Sequence, residues 1–331
     1  MAKIFISRTP YRISLGGGGT DLPFYSNAYG GQLITAAIDQ YITVSVSPRF
    51  LDDRILIQTT DVQFCDYLDE INNDLIRETL RYFKIKNGIQ ISTFTSLPTG
   101  IGLGSSSTVI VGLIKALIQM LNIEYTQTQL AEVAYHIERE ILGFPGGVQD
   151  QYIAAIGGIQ MIHSNIGTDV KCMPLEVNKT NLTKLEDHLV LIYTGKERFS
   201  TNIIKSQEVA DQSTIVGVYD EIKDIGKRSI EHLVNADIEN LGQLMDRHWE
   251  IKRKLSKKIS NSKFDDLYLK FKKIGSPGGK IVGAGGGGFF MMAVPSDPIL
   301  FREKVHKMGY STLKWKFEFN GSFLIGDQIG I

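Results

Sequence analysis

The sequence predicts an α+β protein of two lobes divided near residue 180, and three observations carry that reading. The chain has 331 residues, about twice a typical domain of roughly 150. Its first half is dominated by short Ile-, Val- and Thr-rich segments with two helical patterns. Its second half is helix-rich and is closed by a few strands, a segregated order rather than the strict alternation of an α/β fold. No internal repeat is evident. The expected lobes are residues 1–180 and 181–331.

The elements follow in order. Lys3 to Ser7 alternates like a short strand and runs into a polar, glycine-rich loop from Arg8 to Asp21. Leu33–Val46 and Arg54–Gln58 suit strands by composition, and Ile89–Phe94 alternates apolar with polar residues as a half-buried strand does. Ser106–Leu121 is helical, with Val109, Leu113, Leu117 and Met120 on one stripe. Thr128–Leu142 repeats the pattern with Leu130, Val133, Ala134, Ile137 and Ile141, and Pro145 with its neighbouring glycines ends it. Ile159–His163 and Lys171–Leu175 read as strands, Asn178–Asp187 as a polar connector and His188–Tyr193 as a strand. Helical patterns fill Thr201–Phe271. The end reads strand (Phe289–Val294), helix (Pro298–Met308) and two strands (Thr312–Phe317, Ser322–Ile325).

Composition excludes several classes. The chain is 43% hydrophobic and 22% charged, as in ordinary globular proteins. Its 36 basic and 36 acidic residues cancel, which removes the usual electrostatic case for nucleic acid or a membrane surface as partner. Cys65 and Cys172 are too few for a disulfide framework or a structural zinc site and read as reduced thiols of a cytoplasmic protein. The start, MAKIFISRTP, shows no secretory pattern. Val109–Leu121 is interrupted by Lys115 and Gln119 and is too short to cross a bilayer.

Glycine is the anomaly: 33 of 331 residues, about 10% against a typical ~7%, gathered in clusters. In Leu97-Pro98-Thr99-Gly100-Ile101-Gly102-Leu103-Gly104-Ser105-Ser106-Ser107, glycines let backbone N–H groups approach a ligand. The serines fall where a helix begins, and a helix start attracts phosphate through free N–H groups and the dipole. One serine would suffice as an N-cap; three after three spaced glycines exceed that need. Gly283-Ala284-Gly285-Gly286-Gly287-Gly288 matches G-x-G-x-x-G but precedes a strand, so the dinucleotide context is missing. Its close neighbour is a ligand or another stretch of backbone. Arg8 to Asp21 combines two arginines, four glycines and an acid within fourteen positions.

These clusters, in this order, resemble the three motifs of the GHMP small-molecule kinases (galactokinase, homoserine kinase, mevalonate and phosphomevalonate kinase). Pro98–Ser107 is similar to their P-x-x-x-G-L-G-S-S-A phosphate loop, with Ser107 in place of alanine, and Lys280–Gly288 to their C-terminal glycine motif. The resemblance implies a ribosomal-S5-like N-terminal lobe and a ferredoxin-like C-terminal lobe. It implies ATP contacts at Pro98, Gly100, Gly102, Leu103, Gly104, Ser105, Ser106 and Ser107, and at Gly285, Gly286 and Gly287. Mg²⁺ would be held by Glu138 and Ser106; without the motif, Glu138 reads as a solvated helix charge. Asp150, in Gly146-Gly147-Val148-Gln149-Asp150-Gln151, stands where the family has its base, with Arg12 beside it.

The Q-D-Q form, Arg12 and the string R-I-S-L-G-G-G-G-T-D-L-P resemble the sugar branch, which contains fucokinase and bacterial D-glycero-D-manno-heptose 7-phosphate kinase. That branch implies a small-molecule sugar phosphate and ATP as partners and is compatible with a homodimer. Arg12, Gly18, Thr20, Asp21, Gly147 and Asp150 would then contact the sugar. A phosphorylated sugar needs cations at its second anionic end. Lys196 and Arg198, between a strand end and a probable helix start, are the first choice; Arg247, Lys252 and Arg253 are the other.

Overall fold

The computed structural model describes residues 3–164, 169–196, 203–204 and 212–326. It has the two-lobed α+β fold that the sequence predicts. The first lobe is built on a sheet of β1 (Phe5–Gly16), β2 (Gly31–Pro48), β3 (Ile55–Gln58), β4 (Val62–Cys65) and β5 (Ile89–Thr95), ordered β1-β2-β5-β3-β4, with β3 parallel to β5. The 18-residue β2 is long enough to pair also with β6 (Ile159–Ser164), which carries β7 (Val170–Pro174). The second lobe holds an antiparallel sheet of β8 (Leu189–Tyr193), β9 (Gly278–Ile281), β10 (Phe289–Ala293) and β11 (Thr312–Leu313), ordered β11-β8-β10-β9.

Several local expectations change. Arg8–Gly16 is strand, not loop, because Ile13 and Leu15 alternate into the core while Arg12 and Ser14 face a cavity. Pro10 sits at a shift of the β1–β2 register, where its missing N–H is tolerated. The supposed connector at Asn178–Asp187 is helix α6 (Lys179–His188). Asn178 caps it by accepting from the Asn181 N–H, and Leu185 is buried in the core. Helices α1 (Pro23–Tyr29), α2 (Asp74–Tyr82) and α5 (Gln149–Ile156) had no sequence counterpart. The chain end also departs from a simple two-part division. The strand expected at Thr312–Phe317 leaves the second sheet after Leu313, Phe317 bridges to Ile38, and β12 (Phe323–Leu324) pairs with β1 in the first lobe.

Helix α3 (Ser105–Met120) lies against β1 and β2 and is apolar on nearly every face because it is buried on nearly every face. Helix α4 (Gln127–Tyr135) is opened by a reciprocal Thr126–Gln129 capping box and continues into one π-helical turn, His136–Ile141. In the second lobe, helices at Gln212–Val234, Ile238–Lys252 and Ser262–Lys273 resolve the expected helical stretch. The Ile238–Lys252 helix packs on β9. No helix is long and apolar enough to cross a membrane among the described residues.

Candidate active site

Both lobes line one cleft of about 780 Å³. Its floor is the turn into α3. Gly100, Gly102 and Gly104 all have positive φ (70°, 83° and 84°), a conformation that costs other residues roughly 1–2 kcal/mol each. The N-cap of α3 is Gly104 rather than a serine, and no side chain caps the helix end. Its first N–H groups are therefore left for a ligand, which suits a polyphosphate. The three serines occupy the first turn, where Ser106 Oγ donates to Glu138 Oε1 at 2.7 Å and Ser107 Oγ to Glu138 Oε2 at 2.6 Å.

Glu138 is no solvated helix charge: it is fully buried, on the π-helical turn. Gln151 Nε2 donates to it at 2.7 Å, and Arg139 lies 3.2 Å away. A buried carboxylate and a neighbouring hydroxyl are hard oxygen donors. Mg²⁺ takes few protein ligands and fills the rest with water and phosphate, so the Ser106–Glu138 pair fits that ion.

Arg12 grips Asp150 bidentately, Nε to Oδ1 at 2.7 Å and Nη2 to Oδ2 at 2.8 Å, with the two side chains 7% and 18% exposed. Its Nη1 donates to the Gly102 carbonyl, and its backbone N–H to Leu103 O at 3.1 Å. The glycine turn is thus docked on β1. A Cβ on Gly104 would stand 3.4 Å from both Arg12 and Asp150, so the ion pair abuts the turn directly. The whole Gln149-Asp150-Gln151 segment is structural as well as chemical. Gln149 holds Asp21 through its N–H (3.0 Å) and Nε2 (3.1 Å), Asp150 holds Arg12, and Gln151 holds Glu138.

The remaining expected residues divide. Gly18, Asp21 and Gly147 line the cleft. A Cβ on Gly18 would collide with Ser14 Oγ, and one on Gly147 with the Asp21 carboxylate. Burial pushes the Asp21 carboxyl up, against the Gln149 hydrogen bond. Thr20 is a correction: it is fully buried and its hydroxyl is taken by Gly17 O, Gln32 O and the Gln32 N–H, so it pins the loop and does not reach the cleft. Pro98 is exposed outside the cleft, Leu103 fills the core, and Ser107 is spent on Glu138.

Gly285, Gly286 and Gly287 are likewise not on the cleft wall; Gly283 and Ala284 are. The close neighbours of Gly285 and Gly286 are the chain at Lys258–Ile259 and the Ile203 side chain, and that of Gly288 is the Ile101 carbonyl of the glycine turn before α3. This cluster lets the second lobe press onto the first. Gly288→Ala, at φ +88°, is expected to cost about 3 kcal/mol through collision and backbone strain. Thermal melting should fall by several degrees; an unchanged melting point would deny the contact.

Lys196 is another correction: it is exposed, with its ammonium 6.0 Å from the Phe264 ring, and does not line the cleft. Arg198 lies outside the described residues. Of the alternatives, Arg247 pairs with Glu221 and Arg253 with Asp265, while Lys252 does line the cleft. Two lining residues were not among the expected site residues: His248, and Lys280, which the sequence reading placed only at the start of the C-terminal glycine motif. The visible signal for Lys280 was a lysine amid Gly278, Gly279, Ile281 and Val282, a setting otherwise written for a buried strand.

Burial first, then Lys252 and Arg12, pushes the Lys280 ammonium down to about 7. The unfolded chain then binds more protons than the folded one between that value and the normal lysine range, so this lysine's contribution to stability rises with pH there. His248 and Lys252 face it from the Ile238–Lys252 helix and Arg12 from β1. The expected result is that Lys280→Met melts higher than the parent at pH 6.5, with the gap narrowing towards pH 10. A gap independent of pH would contradict the placement.

A glycine turn at an uncapped helix start, a hydroxyl–carboxylate pair and an ion-paired aspartate share one cleft, an arrangement that suits a small-molecule kinase. The chain belongs to the GHMP kinase family: the N-terminal domain of GHMP kinases matches residues 73–158 and the C-terminal domain residues 229–311. It is similar to the D-glycero-alpha-D-manno-heptose 7-phosphate kinase of Campylobacter jejuni, 32% identical over 310 residues, 89% of this chain and 90% of that protein. Among solved structures it resembles a D-glycero-D-manno-heptose 1-phosphate kinase from Bacteroides thetaiotaomicron, with TM-score 0.79, 24% identity and coverage of 98% and 99% of the two chains. A sugar kinase from Campylobacter jejuni, described in its structure as putative, gives TM-score 0.77 and 28% identity, covering 98% of each.

Proposed function

We propose that this sugar kinase transfers the γ-phosphoryl group of ATP to the anomeric C1 hydroxyl of D-glycero-D-manno-heptose 7-phosphate. The product is the 1,7-bisphosphate, a precursor of nucleotide-activated heptose for surface glycans. The observation that carries this reading is the Arg12–Asp150 pair set against Gly104, at the uncapped start of α3. The similarity to the Campylobacter heptose 7-phosphate kinase along nine-tenths of both chains supports the choice of sugar.

Phosphoryl transfer proceeds through a loose transition state, so positioning and charge neutralisation dominate. Each Asp150 oxygen accepts one bond from Arg12 and keeps capacity for another, which lets the carboxylate orient the acceptor hydroxyl. The guanidinium holds that carboxylate in place and keeps it charge-paired. As the C1 oxygen bonds to phosphorus and the bond to ADP breaks, the hydroxyl proton passes to Asp150. Glu138 and Ser106 would hold Mg²⁺, which when bound neutralises charge on the phosphates.

A coupled ADP-release assay offering heptose 7-phosphate, mannose, fucose and galactose tests the reading. Turnover of heptose 7-phosphate well above the others is expected. Preference for an unphosphorylated sugar would assign a fucokinase-like activity instead, and ligand binding without turnover would make the protein a sensor.

A further inference from the structure

The cleft has a second charged region that the transfer chemistry does not use. Lys280 on β9 and Lys252 and His248 on the Ile238–Lys252 helix line it, 4%, 8% and 2% exposed. Lys252 Nζ donates to Gly283 O at 3.3 Å and stands 3.7 Å from where a Gly19 Cβ would be. Among the described residues, the charged groups acting on Lys280 and His248 are other cations. A lysine buried beside other cations is costly to keep charged, and a cleft lined by such groups is a candidate ligand site.

We propose that Lys252, Lys280 and His248 form the subsite for a phosphate monoester already present on the acceptor, which selects phosphorylated over unphosphorylated sugars. This rests on the sugar-phosphate reading above and supplies the recognition residues that Lys196 does not. Neighbouring groups link the helix start to this region. Ser106 touches Glu138, Gly104 abuts Asp150, Asp150 binds Arg12, and the charge of Arg12 acts on Lys280. Lys252 then reaches Gly19, in the loop that precedes Asp21. The ATP end has its own provision in the uncapped helix start and the hydroxyl–carboxylate pair. Lys252 stands against the loop that leads into Asp21, the loop the resemblance gives to the sugar, where a sugar aimed at Asp150 by one end would present its other. Two ammonium groups and an imidazole offer several donors to a dianionic phosphate, and charge-assisted bonds of this kind are the stronger ones.

The test uses the full chain with Lys252→Met and Lys280→Met, which keep side-chain length while removing charge, and inorganic phosphate as probe. In the parent, inorganic phosphate should inhibit competitively against heptose 7-phosphate. Each variant should raise the KM for heptose 7-phosphate, and the phosphate inhibition constant, about ten- to a hundredfold, with the KM for ATP within about twofold. Lys252→Arg should recover most of the acceptor binding, which a merely structural role would not require. Melting curves confirm that the variants fold. If instead the KM for ATP rises, the cations serve the nucleotide; if neither KM moves, the subsite is elsewhere. Either result overturns this assignment while leaving the heptose reading intact. A parent enzyme that prefers unphosphorylated sugars and ignores inorganic phosphate overturns both.

Discussion

Asp150→Asn is expected to lower kcat about 10³-fold while ATP and sugar still bind. A positioned general base contributes roughly 10²–10⁴-fold, and asparagine keeps the size of the side chain without its ability to receive a proton. The substitution also aims an amide N–H₂ at Arg12, whose two bonds to the carboxylate are 2.7 and 2.8 Å. Arg12 retains the Gly102 carbonyl, so the glycine turn stays docked on β1 and the binding surface survives. Single-turnover rates together with calorimetric binding of each substrate separate the two effects. Near-normal turnover in this variant would remove Asp150 from the mechanism.

Glu138→Gln has the second large effect, and it strikes a different step. The carboxylate accepts from Ser106, Ser107 and Gln151 and lies against Arg139, with no exposure to solvent. Glutamine replaces one acceptor oxygen by a donor, so at least one of these donors loses its partner, and the negative charge is gone. A metal's electrostatic help is worth several kcal/mol, and about 3 kcal/mol corresponds to roughly 10²-fold in rate. The expected outcome is a kcat reduced by about that factor and a half-saturating Mg²⁺ concentration raised at least ~10-fold. Initial rates across a Mg²⁺ titration decide it. An unaltered Mg²⁺ dependence would leave Glu138 a structural acid that only ties α3 to the π-helical turn.

These two side chains show why the site was only partly legible beforehand. Asp150 and Glu138 were found through their setting, a Q-D-Q segment and an acid ahead of Gly143, within a recognisable order of motifs. Nothing near them in sequence announces that Gln149 holds Asp21 and Gln151 holds Glu138, since a glutamine's partner depends on which segment folds against it. The same gap explains Thr20. Beside Asp21 in a glycine-rich string it looks like a sugar contact, yet its hydroxyl is consumed by the Gly17 carbonyl of its own turn and by Gln32, which only the tertiary fold brings to it. It also explains the glycine cluster at 283–288, whose inner members answer to Ile259 and Ile101 rather than to a ligand.

What the amino-acid order determined alone is local. The α3 helix, its glycine turn with three left-handed residues and the alternation of most strands follow from backbone sterics and periodicity, which act over a few residues. Tertiary structure decided everything that depends on distant charges meeting. Arg12 and Asp150 are 138 positions apart. Lys196 is at the surface, whereas Lys280, inside an apolar strand, reaches the cleft. Electrostatic and hydrogen-bond energies depend on separation in space and on burial, neither of which a lysine's immediate neighbours encode.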